Sequence, residues 1–261
     1  MMGGVWHRDT ISWLIVAAAL PAAVAAVGTF GPLALGHMLL ALAVIVFWQL
    51  VFLWSRAQPV SPIAIVTAIA VGVLAPGEFA PWQIVLAASF GTVIGEQVFG
   101  GWGRNIVNAA VAMLAFLYFA FPQTTIPGGG QLLALAVIPG ALMLLVTGVL
   151  SWQVVLSAVV GTITVSLGLG ENPMTVFASG SMVFGLVFLV GDPVASSATR
   201  AGRWIYGFLA GALLALLGWT DTGFDGPQAI IFACLVASLL APLIDAGVIA
   251  ATRRFWRPYN G

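Results

Sequence analysis

Long apolar runs alternate with short clusters of Pro, Gly and charged residues along the whole chain. A bilayer core about 30 Å thick takes roughly 17–25 apolar residues per helix, and fewer where a segment is a buried half-span. Cutting the runs at their punctuation predicts ten helical segments, near Ile11–Val27, Leu35–Trp54, Pro62–Leu74, Trp82–Phe99, Ile106–Phe121, Gln131–Leu150, Gln153–Leu169, Met174–Val190, Trp204–Trp219 and Gln228–Ala251. The fold expected is an all-α polytopic membrane protein, one transmembrane domain over residues 1–261 with halves of roughly 1–125 and 131–261. Segments three and eight correspond under that division. Both follow a proline, Pro62 and Pro173, and both are bounded or interrupted by Gly and Pro. Short, broken spans at matching places of two halves are a mark of inverted-repeat membrane proteins.

Composition narrows the class. Of 261 residues 61% are hydrophobic and 6% charged, and no lysine occurs; the mean hydropathy is +1.11. A soluble domain with one core has an apolar share nearer half. Eight basic residues against eight acidic ones exclude the basic excess of a nucleic-acid partner, leaving the lipid bilayer, other subunits or small ligands. The first run, "ALPAAVAAVG" after one arginine, has some leader-peptide character but reads better as a retained span. With ten spans and both termini cytoplasmic, Arg8, Arg56, Arg104, Arg200, Arg203, Arg253, Arg254 and Arg257 all fall on the inner side, as the positive-inside rule requires. The outer loops then carry only Glu78, Glu171, Asp221 and Asp225.

Charge and polarity inside the apolar runs call for a reason. Glu96, near the inner end of segment four, reads as a carboxylate that snorkels to the interface or pairs with Arg104; a proton or cation site is the other reading. Asp245 reads as an interhelical partner for an inner-face arginine. The single cysteine, Cys234, suits a core or lipid-facing place, and His7 and His37 have no second ligand at i+3 or i+4, so no metal site is expected. Two polar corners remain. One is "FGGWGRNIVNAAVAM", Phe99–Met113, where Asn105 and Asn108 stand i, i+3 at a predicted helix start and offer donors and acceptors on one side. The other is "FLVGDPVASSATRAGRWIYG", Phe188–Gly207. Turn and cap chemistry accounts for Asp192, Ser196, Ser197 and Thr199 taken alone. Both corners face the same side of the membrane in the ten-span topology, so they can also form two walls of one pocket.

At these residues the chain resembles a family. "GEQVFGGWGRNIVNAAVA", "FGLVFLVGDPVASSATRAGRWIYG" and "FACLVASLLAPLIDAGVIAATRR" are similar, in order and spacing, to blocks of the B subunit of the sodium-translocating NADH:quinone oxidoreductase and the D subunit of the Rnf complex. The resemblance runs from about Pro81 to Arg254. It implies ten helices in two inverted five-helix halves, similar in architecture to urea and ammonium transporters, and a noncovalent riboflavin or FMN lined by Asn105, Asn108 and Asp192. The candidate cofactor-binding set is completed by Arg104, Gly100, Gly101, Thr199, Arg203 and Trp204. Amides can match the alternating N–H and C=O groups of an isoalloxazine edge, a carboxylate can accept from N3–H or ribityl hydroxyls, and glycines let backbone approach a flat ring. Arg104 would stabilise negative charge on reduction; Trp102 and Trp204 could stack, though interfacial tryptophans are the plainer reading. Two departures stand out. Ala109 replaces the family's usual proline, and the loop "PQTTIPGGG" has Thr124 and Thr125 without the Ser-Gly-Ala-Thr-like motif that carries covalent FMN in relatives, so a covalent flavin is expected to be absent.

The function expected is a membrane-embedded electron-transfer subunit of a bacterial inner-membrane redox complex. It has no nucleotide fold for NADH, so its partners are a dehydrogenase or ferredoxin-like donor, a flavin-carrying extracytoplasmic subunit and a quinone or other acceptor. Two alternatives stay open: a small-solute channel or transporter, suggested by the broken spans, and a cofactor-free scaffold, suggested by the missing attachment motif.

Overall fold

The computed structural model describes residues 7–76, 79–122, 129–219 and 226–255, with side chains to residue 252. The helices are α1 (Arg8–Phe30), α2 (Pro32–Arg56), α3 (Ile63–Leu74), α4 (Pro81–Gly95), α5 (Ala109–Ala120), α6 (Gly130–Val146), α7 (Trp152–Gly168), α8 (Met174–Ala178), α9 (Gly180–Gly185), α10 (Arg200–Leu217) and α11 (Pro227–Phe255). One 3-10 turn, Gln97–Phe99, follows α4, and a π turn, Leu186–Val190, continues α9. Among the described residues no strand occurs. By length and composition α1, α2 and residues Pro227–Thr252 of α11 can each cross a membrane. The chain is thus an α-helical membrane protein. Large apolar side chains such as Leu39, Phe47, Phe119, Val146 and Leu243 are exposed because lipid, not water, is the surrounding solvent.

The predicted segments correspond to these elements with two informative differences. Segment eight is divided at Ser179 into α8 and α9 and ends as a π turn; its glycines and the preceding Pro173 weaken a continuous ladder. Segment five begins at Ala109 rather than at Ile106, because Asn108 takes the N-cap position and its Oδ1 accepts from the Ala110 N–H at 2.8 Å.

Packing follows a regular scheme. α2 lies against α4 and α4 against α5; likewise α7 lies against α10 and α10 against α11. α1 touches α3 as α6 touches α9, and across the molecule α1 meets α6, α3 meets α9 and α5 meets α11. Lipid removes the hydrophobic drive for helix pairing, so close approach through small residues takes over. A Cβ at Gly211 would lie 1.9 Å from the Ala158 carbonyl oxygen, and one at Gly140 would lie 2.0 Å from that of Ala18; α10–α7 and α6–α1 pack backbone to backbone there.

α3 is a short helix buried on every side, and its C-terminal carbonyls need donors. Three side chains supply them: Ser181 Oγ to Val73 O at 3.2 Å, Tyr118 Oη to Leu74 O, and His37 Nδ1 to Ala75 O at 3.2 Å. The π turn after α9 is served by Tyr206 Oη, which donates to Val190 O at 3.3 Å. Cys234 is buried in the core beside Tyr206. Thr124, Thr125, Glu78, Asp221, Asp225 and Arg257, on which the reading of the outer loops, the covalent-flavin motif and the inner C-terminus rests in part, lie outside the described residues.

Candidate functional site

The first polar corner is a glycine loop wrapped between two arginines. Gly100, Gly101 and Gly103 adopt φ values of 103°, 88° and 96°, a left-handed backbone that only glycine enters without strain. The side chain of Arg104 lies against Gly100 and that of Arg8 runs past Gly101 and Gly103. The Arg8 guanidinium then sits 5.8 Å from the centre of the Trp102 ring, a cation–π contact. Nothing in the sequence spacing links position 8 to this loop, which is why Arg8 escapes a reading of motifs.

The two asparagines do not act as a matched pair. Asn105 is buried and spent on the turn itself: its Oδ1 accepts from Gly103 N–H at 3.2 Å and its Nδ2 donates to Val107 O at 2.9 Å. Asn108 caps α5 with its oxygen and points its Nδ2 across the molecule to Asp192 Oδ2. The i, i+3 relation on one helix face therefore fails, since residues 105–107 precede the helix. Asp192 is buried, and its Oδ1 accepts from Val194 N–H at 2.8 Å in an Asx turn started by Gly191 and Pro193. The Asn108–Asp192 bond joins the two polar corners.

A narrow cleft opens beside that bond. Its volume is about 30 Å³, room for little more than water, and it is lined by Asn108, Asp192, Trp102 and Phe188, with Thr67 and Val66 of α3 behind. Ligand pockets commonly span about 300–1,000 Å³, so a ring enters here only if the walls of the cleft move apart. The donor set suits a flat heteroaromatic ring with one polar edge. Asn108 keeps a second N–H beyond the one given to Asp192, and the carboxylate has accepting capacity left over. A flavin implied by the resemblance matches the donor and acceptor set of Asn108 and Asp192 but not the volume of the closed cleft, which would have to widen between Trp102 and Phe188.

Four other sequence candidates lie elsewhere. Thr199 is the N-cap of α10, its Oγ1 accepting from Gly202 N–H at 3.1 Å. Arg203 Nε donates to Ser197 O at 3.3 Å. Trp204 is 40% exposed and meets Trp152 edge to face at 5.5 Å. Arg104 is exposed on the outside of the glycine loop. Trp102, by contrast, is 6% exposed and forms a wall of the cleft, so the interfacial reading of this tryptophan is corrected.

The two apolar-run carboxylates have partners of their own. Asp245 is an interhelical partner, and among the described side chains it pairs with no arginine; Ser197 Oγ donates to its Oδ1 at 2.5 Å, Thr199 Oγ1 to Oδ1 at 2.6 Å, Thr199 N–H to Oδ1 at 3.0 Å and Ala198 N–H to Oδ2 at 2.9 Å, while Arg253, Arg254 and Arg257 lie outside the described side chains. It ties α11 to the start of α10. Glu96 neither snorkels nor pairs with Arg104: it is 2% exposed, and its Oε1 accepts from Gln97 Nε2 at 3.0 Å and Gln49 Nε2 at 3.5 Å.

The profile of the NQR2, RnfD, RnfE family matches residues 6–126 and 123–253. The chain belongs to this family. Among its relatives is the B subunit of the Na(+)-translocating NADH-quinone reductase of Ectopseudomonas mendocina (strain ymp), 32% identical over 78% of this chain and 64% of the relative. The protein of the same name from Pseudomonas paraeruginosa is 30% identical over 82% of this chain and 66% of its own length. That from Chromohalobacter salexigens is 30% identical over 76% and 61%. This NQR2/RnfD/RnfE member thus spans under two thirds of the length of the curated relatives it matches. Both polar corners and the cleft between them fall inside the matched residues.

Proposed function

We propose that this chain is the membrane-embedded electron-transfer subunit of a redox complex, holding a noncovalent flavin, riboflavin or FMN, in the cleft between its two polar corners. In this reading it passes electrons from a dehydrogenase or ferredoxin-like donor on the cytoplasmic side toward a quinone or an extracytoplasmic flavin-carrying acceptor. The relatives' name, a subunit of a sodium-translocating NADH-quinone reductase, supports the redox assignment. The observation that carries the site is the Asn108–Asp192 bond at the mouth of an aromatic-walled cleft. We further infer ten crossings in two inverted halves, with both termini cytoplasmic in a bacterial inner membrane. The repeated packing scheme of α1–α5 and α6–α11, and the pairing of like with like across the molecule, support it.

The bound flavin would supply one- and two-electron chemistry that no side chain offers. The protein's own part is binding and orientation. Asn108 offers an amide N–H to the polar edge of a ring, Asp192 accepts from a ring N–H or a ribityl hydroxyl, and Trp102 and Phe188 give flat apolar walls that exclude water. Asn105 and the three glycines hold the loop that presents Trp102. Thr199, Arg203 and Trp204 have no part in holding the ring. A bilayer core of about 30 Å makes an internal electron station useful.

The absorption spectrum of the gently purified protein tests this reading, with flavin bands at close to one per chain expected. Asn108→Leu should weaken flavin binding by about 1–3 kcal/mol through unpaired ring groups, roughly five- to more than a hundredfold. Asn108→Ser keeps the helix cap and removes the amide, and should lose flavin equally. Asp192→Asn should shift the flavin's reduction potential upward more than it empties the site. A colourless, folded protein would sink the proposal and favour a cofactor-free scaffold.

A further inference from the structure

We propose that Glu96 is a proton-binding site, a buried carboxyl group that takes up and releases a proton beside two amides at the end of α4. Its position is built rather than incidental. Glu96 follows the last residue of α4, where the helix gives way to the Gln97–Phe99 turn, and it is 2% exposed. Gln49 of α2 and Gln97 both aim their Nε2 groups at its Oε1, and the backbone N–H of Trp102 also donates to it. Gln49 is held in turn by its own Oε1, which accepts from Ser61 N–H at 3.3 Å, so the amide cannot swing away freely. Gln58 Nε2 donates to Gln97 O at 3.2 Å and closes the group from the α2–α3 connection.

No guanidinium lies within ion-pair distance of this carboxyl among the described residues. The charged groups whose fields reach it are Arg8 at the start of α1, which favours its anion, and Asp192 beyond the cleft, which opposes it. α2 presents only the neutral amide of Gln49 and the turn only that of Gln97. Removing a carboxylate from water without a cation against it is costly, and binding a proton relieves that cost. Two buried atoms of the same neighbourhood have hydrogen-bonding capacity to spare: Thr92 Oγ1, one turn before Glu96 on α4, and Gln58 Oε1.

Burial without a paired cation is what favours a proton here, and the donor set speaks against a metal cation. A cation bound at Oε1 would meet two NH₂ groups turned toward it, whereas cation sites present carbonyl and carboxylate oxygens. The inference does not depend on which ligand the cleft holds. It does connect the two, because the same loop that supplies the Trp102 N–H to Glu96 supplies the Trp102 ring to the cleft wall, and Asp192 faces both.

Infrared spectroscopy of the purified full chain in lipid nanodiscs, titrated with pH, tests the proposal through the carboxylic-acid C=O band. Of the acid bands that titrate in the wild type, one should vanish in Glu96→Gln and stay, moved in frequency, in Glu96→Asp. Asp192→Asn should lower the pH at which the acid ionises, and Arg8→Gln should raise it. Sodium at constant ionic strength should leave the midpoint in place. An unchanged titrating band in Glu96→Gln would overturn the assignment, as would a midpoint indifferent to both charge substitutions. A midpoint that follows sodium concentration would make the group a cation ligand instead. None of these readouts requires flavin, so the proposal and the electron-transfer reading fail separately.

Discussion

The two polar corners meet at one hydrogen bond yet are built on opposite plans. In the second corner a carboxylate, Asp245, gathers two hydroxyls and two backbone N–H groups and fastens the start of α10 to α11. Every donor there points inward at the acid, and the cluster's work is structural. In the first corner the fastening is done by backbone shape, three left-handed glycines and the Asn105 turn, while the carboxylate, Glu96, sits in a shell of neutral amides. The difference shows that an acid in an apolar run is not by itself a sign of chemistry. What counts is whether donors and partial exposure together complete the anion, as at Asp245, or deep burial leaves part of the charge to be met by something that comes and goes, as at Glu96.

Substitutions should separate these plans. The largest effect is expected for Asp245→Ala, which strips four donors of one acceptor and frees the start of α10. A loss of about 3 kcal/mol, the order of two charge-assisted hydrogen bonds, should appear as a lowered unfolding midpoint in detergent titration. A wild-type midpoint would show that α10 is held by its glycine packing on α7 alone. Gly101→Ala comes next. Its φ of 88° is open to an alanine only with strain, so about 1–2 kcal/mol of stability should go, and the loop should release Trp102, seen as a change in tryptophan fluorescence. Unaltered fluorescence with lost stability would mean that Trp102 is held by the cleft rather than by the loop. Thr199→Ala is the mildest: it removes the α10 cap and one donor to Asp245, at about 1 kcal/mol, and should leave ligand binding in the cleft untouched. Weakened binding in this variant would bring the second corner's cap into the site after all.

How far the sequence could be read varies with the kind of signal. Helix positions were legible to within a few residues because an apolar run in a bilayer has little choice but to be helical, and Pro and Gly mark its ends. The early start assigned to segment five went astray on a local competition: Asn108 gains more as a cap, with its side chain on the Ala110 N–H, than as the second residue of a helical i, i+3 pair. Thr199, Arg203 and Trp204 show a different limit of sequence reading. They lie in the same sequence block as Asp192, but α10 turns them toward α7 and α11, and proximity along the chain does not survive that turn.

Sequence alone therefore determined the solvent, the segments and the family: apolar run length answers to bilayer thickness, and motif order is a property of the chain itself. Tertiary structure decided which polar groups face one another. Residues 108 and 192, or 96 and 49, are brought together by helices packing across the molecule. Whether a buried carboxylate is completed by donors or left among neutral amides depends on those distant partners, because electrostatic and hydrogen-bond energies are set by separations in space of a few ångströms and not by spacing along the chain.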